Sequence, residues 1–219
     1  MNKKILIVVL SFDKEPYVSL ENTIRNTWAR EKPEGVEIIY YYGNSKEDKL
    51  LGDKLYLNSP EGLRNVSKKT LKMYEYVFEN FEFDYVYRTN SSSYVNITKL
   101  KEFIVDKPLN KFYSGVVGNS PQGIKFASGS GYFISHDLIE LVLNNKNKWD
   151  NSLIDDVALG KLLSHKNIKI TRGTRINLTK NHLNNTPFDK NAYHYRVKFP
   201  NNRQIDIKLM KKIYNALKS

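Results

Sequence analysis

Short hydrophobic runs alternate along the chain with stretches in which hydrophobic residues recur every three or four positions. Ile5–Leu10 is hydrophobic throughout, as is typical of a parallel strand that is buried on both faces of a sheet. Leu20, Ile24 and Trp28 are spaced four apart, and this spacing predicts a helix over residues 19–30. Because strands and helices continue to alternate, the sequence predicts an α/β fold around a mostly parallel central sheet flanked by helices.

The same patterns predict the remaining elements. Further strands are expected over residues 36–42, 54–57, 84–88, 112–117, 125–134 and 168–171. Further helices are expected over residues 65–80, 97–105, 137–143, 153–165 and 204–217. Two segments break the patterns and are predicted to be a polar loop, 89–93, and a long Asn-rich irregular tail, 174–200. With 219 residues and no evident linker, we expect one domain over residues 1–219.

Two predicted strands end in polar residues that are suited to a binding site. Ser11 and Phe12 follow the first strand, and Asn90 and Ser91 follow the strand over 84–88. Ligands of open α/β sheets bind beyond the carboxyl ends of the strands, so we expect these residues to line a site. Neither a GxGxxG motif after the first strand nor a GxxxxGK[ST] motif occurs, which argues against a dinucleotide fold of the usual kind and a P-loop NTPase.

Composition narrows the function classes. The net charge of +12 favours anionic partners, but the lysines are scattered and a solvated basic surface explains them equally well. The absence of cysteine excludes disulfides and thiolate metal sites. The first hydrophobic run is too short for a signal peptide, and no stretch is long enough for a transmembrane helix. With no signal peptide or transmembrane segment predicted, we expect a cytoplasmic location or leave the compartment unassigned.

Four segments carry a family resemblance: Arg25–Trp28, Tyr87–Asn96, Ala127–Ser135 and Asp155–Gly160. Their order and spacing resemble the β1,3-galactosyltransferase and fringe group of inverting glycosyltransferases, a family 31-like group with the GT-A nucleotide-diphospho-sugar transferase fold. The group's motifs are R-x-T-W, D-D-D-x-[FY]-V-N, G-x-G-Y-x-[LIF]-S and [ED]-D-V-x-[VL]-G. The resemblance extends over roughly residues 5–170 and implies a GT-A fold here.

The departure from the family lies in its acidic triplet. Aligned on the following Tyr-Val-Asn, the three aspartates fall on Asn90, Ser91 and Ser92. The family uses the last of these carboxylates to hold a divalent metal under the donor pyrophosphate. Mn²⁺ and Mg²⁺ prefer charged oxygen ligands, so we assign no metal ligand and expect weak metal dependence or none.

Without a metal, the departing diphosphate requires cationic or N–H donors. The sequence offers a set of basic candidates: Arg25, Arg88, Arg172, Arg175, Lys180 and His182. For each arginine and for Lys180 a solvated surface charge is the competing interpretation, and for His182 it is a structural role. Ser128 and Gly129 are further candidates for donor contacts, because the Gly-Ser-Gly run lets the backbone approach the donor sugar or the acceptor closely. The run would equally suit a bulge or a tight turn before the following strand.

By resemblance, Asp156 is the general base that takes the acceptor's hydroxyl proton, and Asp155 lines the same site. An inverting transferase needs one such carboxylate. The competing interpretation is that both acids only complement the exposed N–H groups at a helix start.

The leading hypothesis is therefore an inverting transferase that moves a sugar from a nucleotide-diphospho-sugar, a UDP-sugar above others, to a glycan or other hydroxyl acceptor. The first alternative is a catalytically silent GT-A domain that binds a nucleotide sugar or glycan within a larger assembly. A nucleic-acid-binding protein is disfavoured because no binding motif is present. The basic C-terminal helix suits an anionic membrane surface less well than it suits docking on the domain.

Overall fold

An eight-stranded sheet organises the chain in a computed structural model that describes residues 3–184 and 186–218. The strands, including those of a smaller second sheet, are β1 (Ile5–Leu10), β2 (Val36–Tyr42), β3 (Lys49–Leu51), β4 (Lys54–Tyr56), β5 (Tyr85–Asn90), β6 (Ser93–Val95), β7 (Tyr113–Asn119), β8 (Lys125–Ser135), β9 (Ile170–Arg172), β10 (Ile176–Asn177) and β11 (His194–Arg196). The α-helices are α1 (Tyr17–Arg25), α2 (Val66–Asn80), α3 (Ile97–Ile104), α4 (His136–Leu143), α5 (Asp155–Ser164) and α6 (Arg203–Lys218).

The large sheet has the strand order β3-β4-β2-β1-β5-β8-β7-β9. Strands β4, β2, β1 and β5 are parallel neighbours, and β9 is parallel to β7. Strand β8 lies antiparallel between β5 and β7, and β3 is antiparallel to β4 at the edge. The predicted α/β architecture with a mostly parallel central sheet is confirmed.

Both faces of the sheet are covered, as the uninterrupted hydrophobic run of β1 predicts. Ile5, Ile7 and Val9 pack into one hydrophobic cluster, with side chains from α1, α3 and α6. Leu6 and Val8 point to the opposite face and pack with α2, α4 and α5. The apolar face of α6 is thus docked on the domain. Within the described part of the chain, no helix has the length and apolarity needed to cross a membrane.

The first helix is shorter than predicted. Helix α1 ends at Arg25 rather than continuing to residue 30, and the next residues form turns. The backbone N–H of Thr27 bonds to the Ile24 carbonyl instead of the Thr23 carbonyl, and the Thr27 hydroxyl donates to the Thr23 carbonyl in its place. Trp28 is nevertheless buried, and its Nε1 donates to the Ser93 carbonyl at 3.1 Å.

The tail over 174–200 is more ordered than predicted. It contains β10 and β11, which form a three-stranded sheet with β6 in the order β10-β11-β6. Strand β11 runs antiparallel to β6, and this pairing sets Arg196 opposite Ser93. The predicted polar loop over 89–93 is reduced to the two residues between β5 and β6, Ser91 and Ser92. The small sheet therefore brings the end of the chain to the end of β5.

Candidate functional site

A cleft of about 260 Å³ opens where β1 and β5 end side by side. The parallel register pairs Leu10 with Asn90, so the residues that follow β1 meet those that end and follow β5. The cleft is lined by Leu10, Ser11, Phe12, Tyr17, Glu61, Gly62, Leu63, Val66, Lys69, Asn90, Ser91, Ser92, Arg196, Lys198 and Arg203. Five predicted site residues are thus brought together: Ser11, Phe12, Asn90, Ser91 and Ser92.

Two side chains of the triplet, those of Asn90 and Ser92, are hydrogen-bonded to arginines or to backbone groups. The Asn90 side chain donates through Nδ2 to the Gly129 carbonyl at 3.2 Å. Its Oδ1 accepts from the Ser92 backbone N–H at 3.0 Å and from Arg196 Nη1 at 2.7 Å. The Ser92 hydroxyl oxygen accepts from Arg203 Nη2 at 2.6 Å. Guanidinium groups therefore approach the side chains of both Asn90 and Ser92.

Arg196 and Arg203 are candidate functional residues that were not predicted from the sequence. Arg196 ends β11 and Arg203 begins α6, so their places depend on the pairing of β11 with β6. A local signal was present in Tyr193–Val197, whose aromatic and β-branched residues are typical of a strand. Burial together with the nearby charges of Arg175 and Arg203 lowers the pKa of Arg196 to about 10.

A lysine lies at the bottom of the cleft. The Lys69 side chain is almost fully buried, and its Nζ contacts a Glu61 carboxylate oxygen at 2.7 Å and the Ser11 carbonyl at 3.2 Å. Burial lowers the pKa of Lys69, although the nearby Glu61 opposes that shift. This cation is thus balanced by an acid that also lines the cleft.

The two aspartates are the first two residues of α5, which begins after Ile154 without a side-chain cap. Asp155 is committed to a buried ion pair: Arg88 Nη2 lies 2.5 Å from its Oδ2, to which Thr70 also donates at 3.0 Å. Asp156 accepts the Gly129 backbone N–H at 2.7 Å. Burial and the adjacent Asp155 raise the pKa of Asp156 above its ordinary value.

Gly129 joins this acidic pair to the cleft. Its carbonyl accepts from both Arg88 and Asn90, and its N–H donates to Asp156. A Cβ at this position would lie 2.8 Å from Arg88 Nη1 and 3.0 Å from an Asp156 carboxylate oxygen. Glycine is thus required because the protein's own charged groups approach the backbone here.

Arg88, Gly129, Asp155 and Asp156 do not line the cleft themselves, and neither do Arg172, Arg175 and four further predicted site residues. Arg25 makes ion pairs with Asp53 and Glu21. Ser128 accepts from Arg175 Nη1 at 3.0 Å, beside the Gly129 carbonyl. The remaining two, Lys180 and His182, lie in a short 3₁₀ helix, where His182 Nδ1 bonds with Thr179 and the ring stacks on Phe188.

The chain is similar in sequence to curated N-acetylgalactosaminyltransferases. No family model matches the chain. The chain is 25% identical over 158 residues to UDP-GalNAc:beta-1,3-N-acetylgalactosaminyltransferase 2 of Xenopus tropicalis, a match that covers 61% of this chain and 32% of that protein. The Homo sapiens protein of that name is 25% identical over 133 residues, covering 52% of this chain and 27% of its own length. The chain therefore spans between about a quarter and a third of the length of the curated relatives that it matches.

Solved structures extend the likeness to the whole fold. A glycosyltransferase involved in the glycosylation of the major capsid of PBCV-1 superimposes with a TM-score of 0.60 at 13% identity, covering 95% of this chain and 99% of that one. The mannosyltransferase PcManGT from Pyrobaculum calidifontis, in complex with GDP-Man and Mn²⁺, superimposes with a TM-score of 0.50 at 8% identity, covering 79% and 55%. The chain has the GT-A fold of glycosyltransferases.

Proposed function

We propose that this chain is an inverting glycosyltransferase that moves a sugar from a nucleotide-diphospho-sugar to a hydroxyl group of a glycan or other acceptor. The fold, the sequence similarity to UDP-GalNAc transferases and the cleft at the ends of β1 and β5 support this proposal together. A UDP-sugar is the favoured donor because the relatives' name specifies one.

The observation that carries the proposal is the position of Asp156. Its carboxylate lies at the start of α5, against Gly129, whose carbonyl is bonded to Asn90 of the cleft. The side chain is largely buried, and its raised pKa makes the ionised carboxylate a stronger base than an ordinary aspartate. Asp156 is therefore connected to the cleft through the hydrogen bonds of Gly129, one to Asp156 and one to Asn90.

The reaction assigned to this site is a single displacement. The acceptor oxygen bonds to the anomeric carbon while the bond from that carbon to the diphosphate oxygen breaks, and its electron pair leaves with the nucleoside diphosphate. The acceptor's hydroxyl proton passes to the Asp156 carboxylate. Asp155, which is bonded to Arg88 and Thr70, positions Arg88 and does not accept the proton.

The residues at the triplet do not fit a divalent cation. Amide and hydroxyl oxygens are weak ligands for Mn²⁺ and Mg²⁺, and those of Asn90 and Ser92 already accept from the guanidinium groups of Arg196 and Arg203. No group of three or more His, Cys, Asp or Glu residues suited to a metal occurs within residues 3–184 and 186–218. We therefore include weak or absent metal dependence in the proposal.

The test is Asp156→Asn, which keeps the shape of the side chain and removes the base. Release of UDP from UDP-GalNAc, measured with a panel of glycan acceptors, is expected to fall by about 10²–10⁴-fold. Calorimetric titration with UDP is expected to show unchanged affinity. Asp106→Asn is the matched control, since Asp106 is exposed and pairs only with Lys107 among the described residues.

Unchanged turnover in Asp156→Asn would contradict the assignment of the base. A wild-type protein that binds UDP but transfers sugar from no donor would instead be the silent GT-A domain. Titrations with GDP, CDP and dTDP, each with Mn²⁺ and with EDTA, extend the comparison to other donor classes and test metal dependence directly.

A further inference from the structure

Four arginines converge around the end of β5, and they differ in how their charges are balanced. Arg88 pairs with Asp155, and Arg203 pairs with Asp206 at 2.6 Å. The other two bond only to neutral oxygens in the part of the chain that the structure describes. Arg196 donates to the Asn90 side chain and the Ser92 carbonyl, and Arg175 donates to the hydroxyls of Ser128 and Ser130.

This arrangement leaves positive charge without a counter-ion. The Nε of Arg175 is buried and has no hydrogen-bond partner among residues 3–184 and 186–218. Arg196 is repelled by Arg175, Arg203 and Arg88, and Asp206 is the acid that opposes this repulsion. Partly buried charges of one sign are costly unless an opposite charge approaches them, so the cluster is complementary to an anion.

The cluster opens into the cleft. Arg196, Lys198 and Arg203 all line it, together with Ser11 and Phe12. The Arg203 guanidinium lies over the Tyr17 ring at 5.8 Å, and the Ser92 hydroxyl holds one of its nitrogens. Planar guanidinium groups that are fixed in this way match the paired oxygens of phosphate groups.

We infer that Arg196 and Arg203 bind the diphosphate of the donor and stabilise the departing nucleoside diphosphate, at the place where metal-dependent relatives use a cation. This inference rests on the proposed function. As the bond from the anomeric carbon breaks, its electron pair adds negative charge to the diphosphate oxygen, and the two guanidinium groups face that charge without transferring a proton.

In this arrangement Asn90 and Ser92 position the arginines. Asn90 orients Arg196 through a neutral acceptor, so the charge of that guanidinium stays available to the ligand, whereas Arg203 lines the cleft but also pairs with Asp206. An aspartate at either position would neutralise the arginine beside it. Neutral residues at these two positions are thus matched to arginines at positions 196 and 203.

The experiment is calorimetric titration with UDP and with uridine, both in EDTA. Arg196→Gln is expected to weaken UDP binding by about tenfold or more, since it removes a charge-assisted contact, and to leave uridine binding unchanged. Arg203→Lys keeps the charge near Asp206 but loses the planar fork, and a smaller loss is expected. Arg30→Gln removes the same charge from an exposed position and is expected to match wild type.

Asn90→Asp provides a second variant that keeps all four arginines. We expect it to weaken UDP binding in EDTA because the new carboxylate pairs with Arg196. UDP affinities in Arg196→Gln and Asn90→Asp equal to that of Arg30→Gln would overturn the inference and leave the transferase proposal intact. UDP binding to wild type only in Mn²⁺ would overturn it as well. If none of UDP, GDP, CDP and dTDP binds with either Mn²⁺ or EDTA, the proposed function itself fails, and the inference fails with it.

Discussion

Arg88 and Arg196 both contact the end of β5 or lie in it, yet Arg88 is paired with a carboxylate and Arg196 is bonded to neutral oxygens. Arg88 is buried on the α2 and α5 side of β5, where it contacts Asp155, the Tyr41 hydroxyl and the Gly129 carbonyl. Burial opposes its charge, but the proximity of Asp155 holds its pKa above the ordinary arginine value. Arg196 meets neutral oxygens and other arginines, and its pKa falls to about 10.

This difference in partners distinguishes an arginine that stabilises the fold from an arginine that is available to a ligand. A buried cation with its own carboxylate is electrostatically complete and has little to offer a ligand. A cation that faces a cleft without such a partner gains most when an anion arrives. Arg88 is fully buried and Arg196 is half-buried, but it is their immediate partners that decide which of them serves the ligand.

The largest effect is expected from removing the partner of Arg88. Asp155→Asn leaves a buried guanidinium without a counter-ion, and the expected loss is about 3–5 kcal/mol of unfolding free energy. Arg196→Gln, by contrast, relieves repulsion among arginines, so its unfolding free energy is expected to lie within about 1 kcal/mol of wild type. Urea denaturation measures both. Equal losses in the two variants would abolish the distinction between the two arginines.

The structural elements around these arginines that depend on local sequence pattern were predicted from the sequence. The buried β1, the helix α2 and the two aspartates at a helix start follow from periodicity and from residue preferences within a few positions. The strand preceding Asn90 was predicted as well, although it ends two residues later than expected.

The partners of the arginines could not be predicted in the same way. Arg196 reaches Asn90 across 106 positions, through strand pairing that no local pattern encodes. Asp155 and Asp156 are equivalent in sequence, and only the direction of each side chain assigns one to Arg88 and the other to Gly129. Arg25 lies in a family motif, yet Asp53, 28 positions away, engages it.

The pH dependence of turnover tests how the Arg88–Asp155 pair acts on Asp156. Burial and Asp155 raise the pKa of Asp156, so kcat/KM is expected to rise with pH about a midpoint above the ordinary aspartate value of 3.8. Protonation favours the folded state of such a carboxyl group, so its stabilising contribution is lost as pH rises through the raised pKa. At neutral pH, Asp156→Asn should therefore cause little loss of stability.

Asp155→Asn sharpens this test, since it removes a neighbouring negative charge and leaves Arg88 unpaired. Both changes favour the ionised form of Asp156, so the midpoint is expected to move to lower pH in the fraction that folds. A pH–rate profile that is unchanged in this variant would mean that a different group sets the midpoint.

The smallest effect is expected at Arg25, a third arginine whose environment lies between the other two. Like Arg88 it has carboxylate partners, Asp53 and Glu21, but the ion pair with Asp53 is partly exposed to solvent. Exposed pairs typically contribute about 0.2–1 kcal/mol, and Arg25→Gln also loses the stacking of the guanidinium on the Tyr40 ring at 4.0 Å. We therefore expect a loss near 1 kcal/mol in urea denaturation and no change in UDP affinity. A loss of UDP affinity as large as that expected for Arg196→Gln would show that an arginine outside the cleft with two carboxylate partners also serves the ligand, and partner chemistry would then no longer separate Arg88 and Arg25 from Arg196.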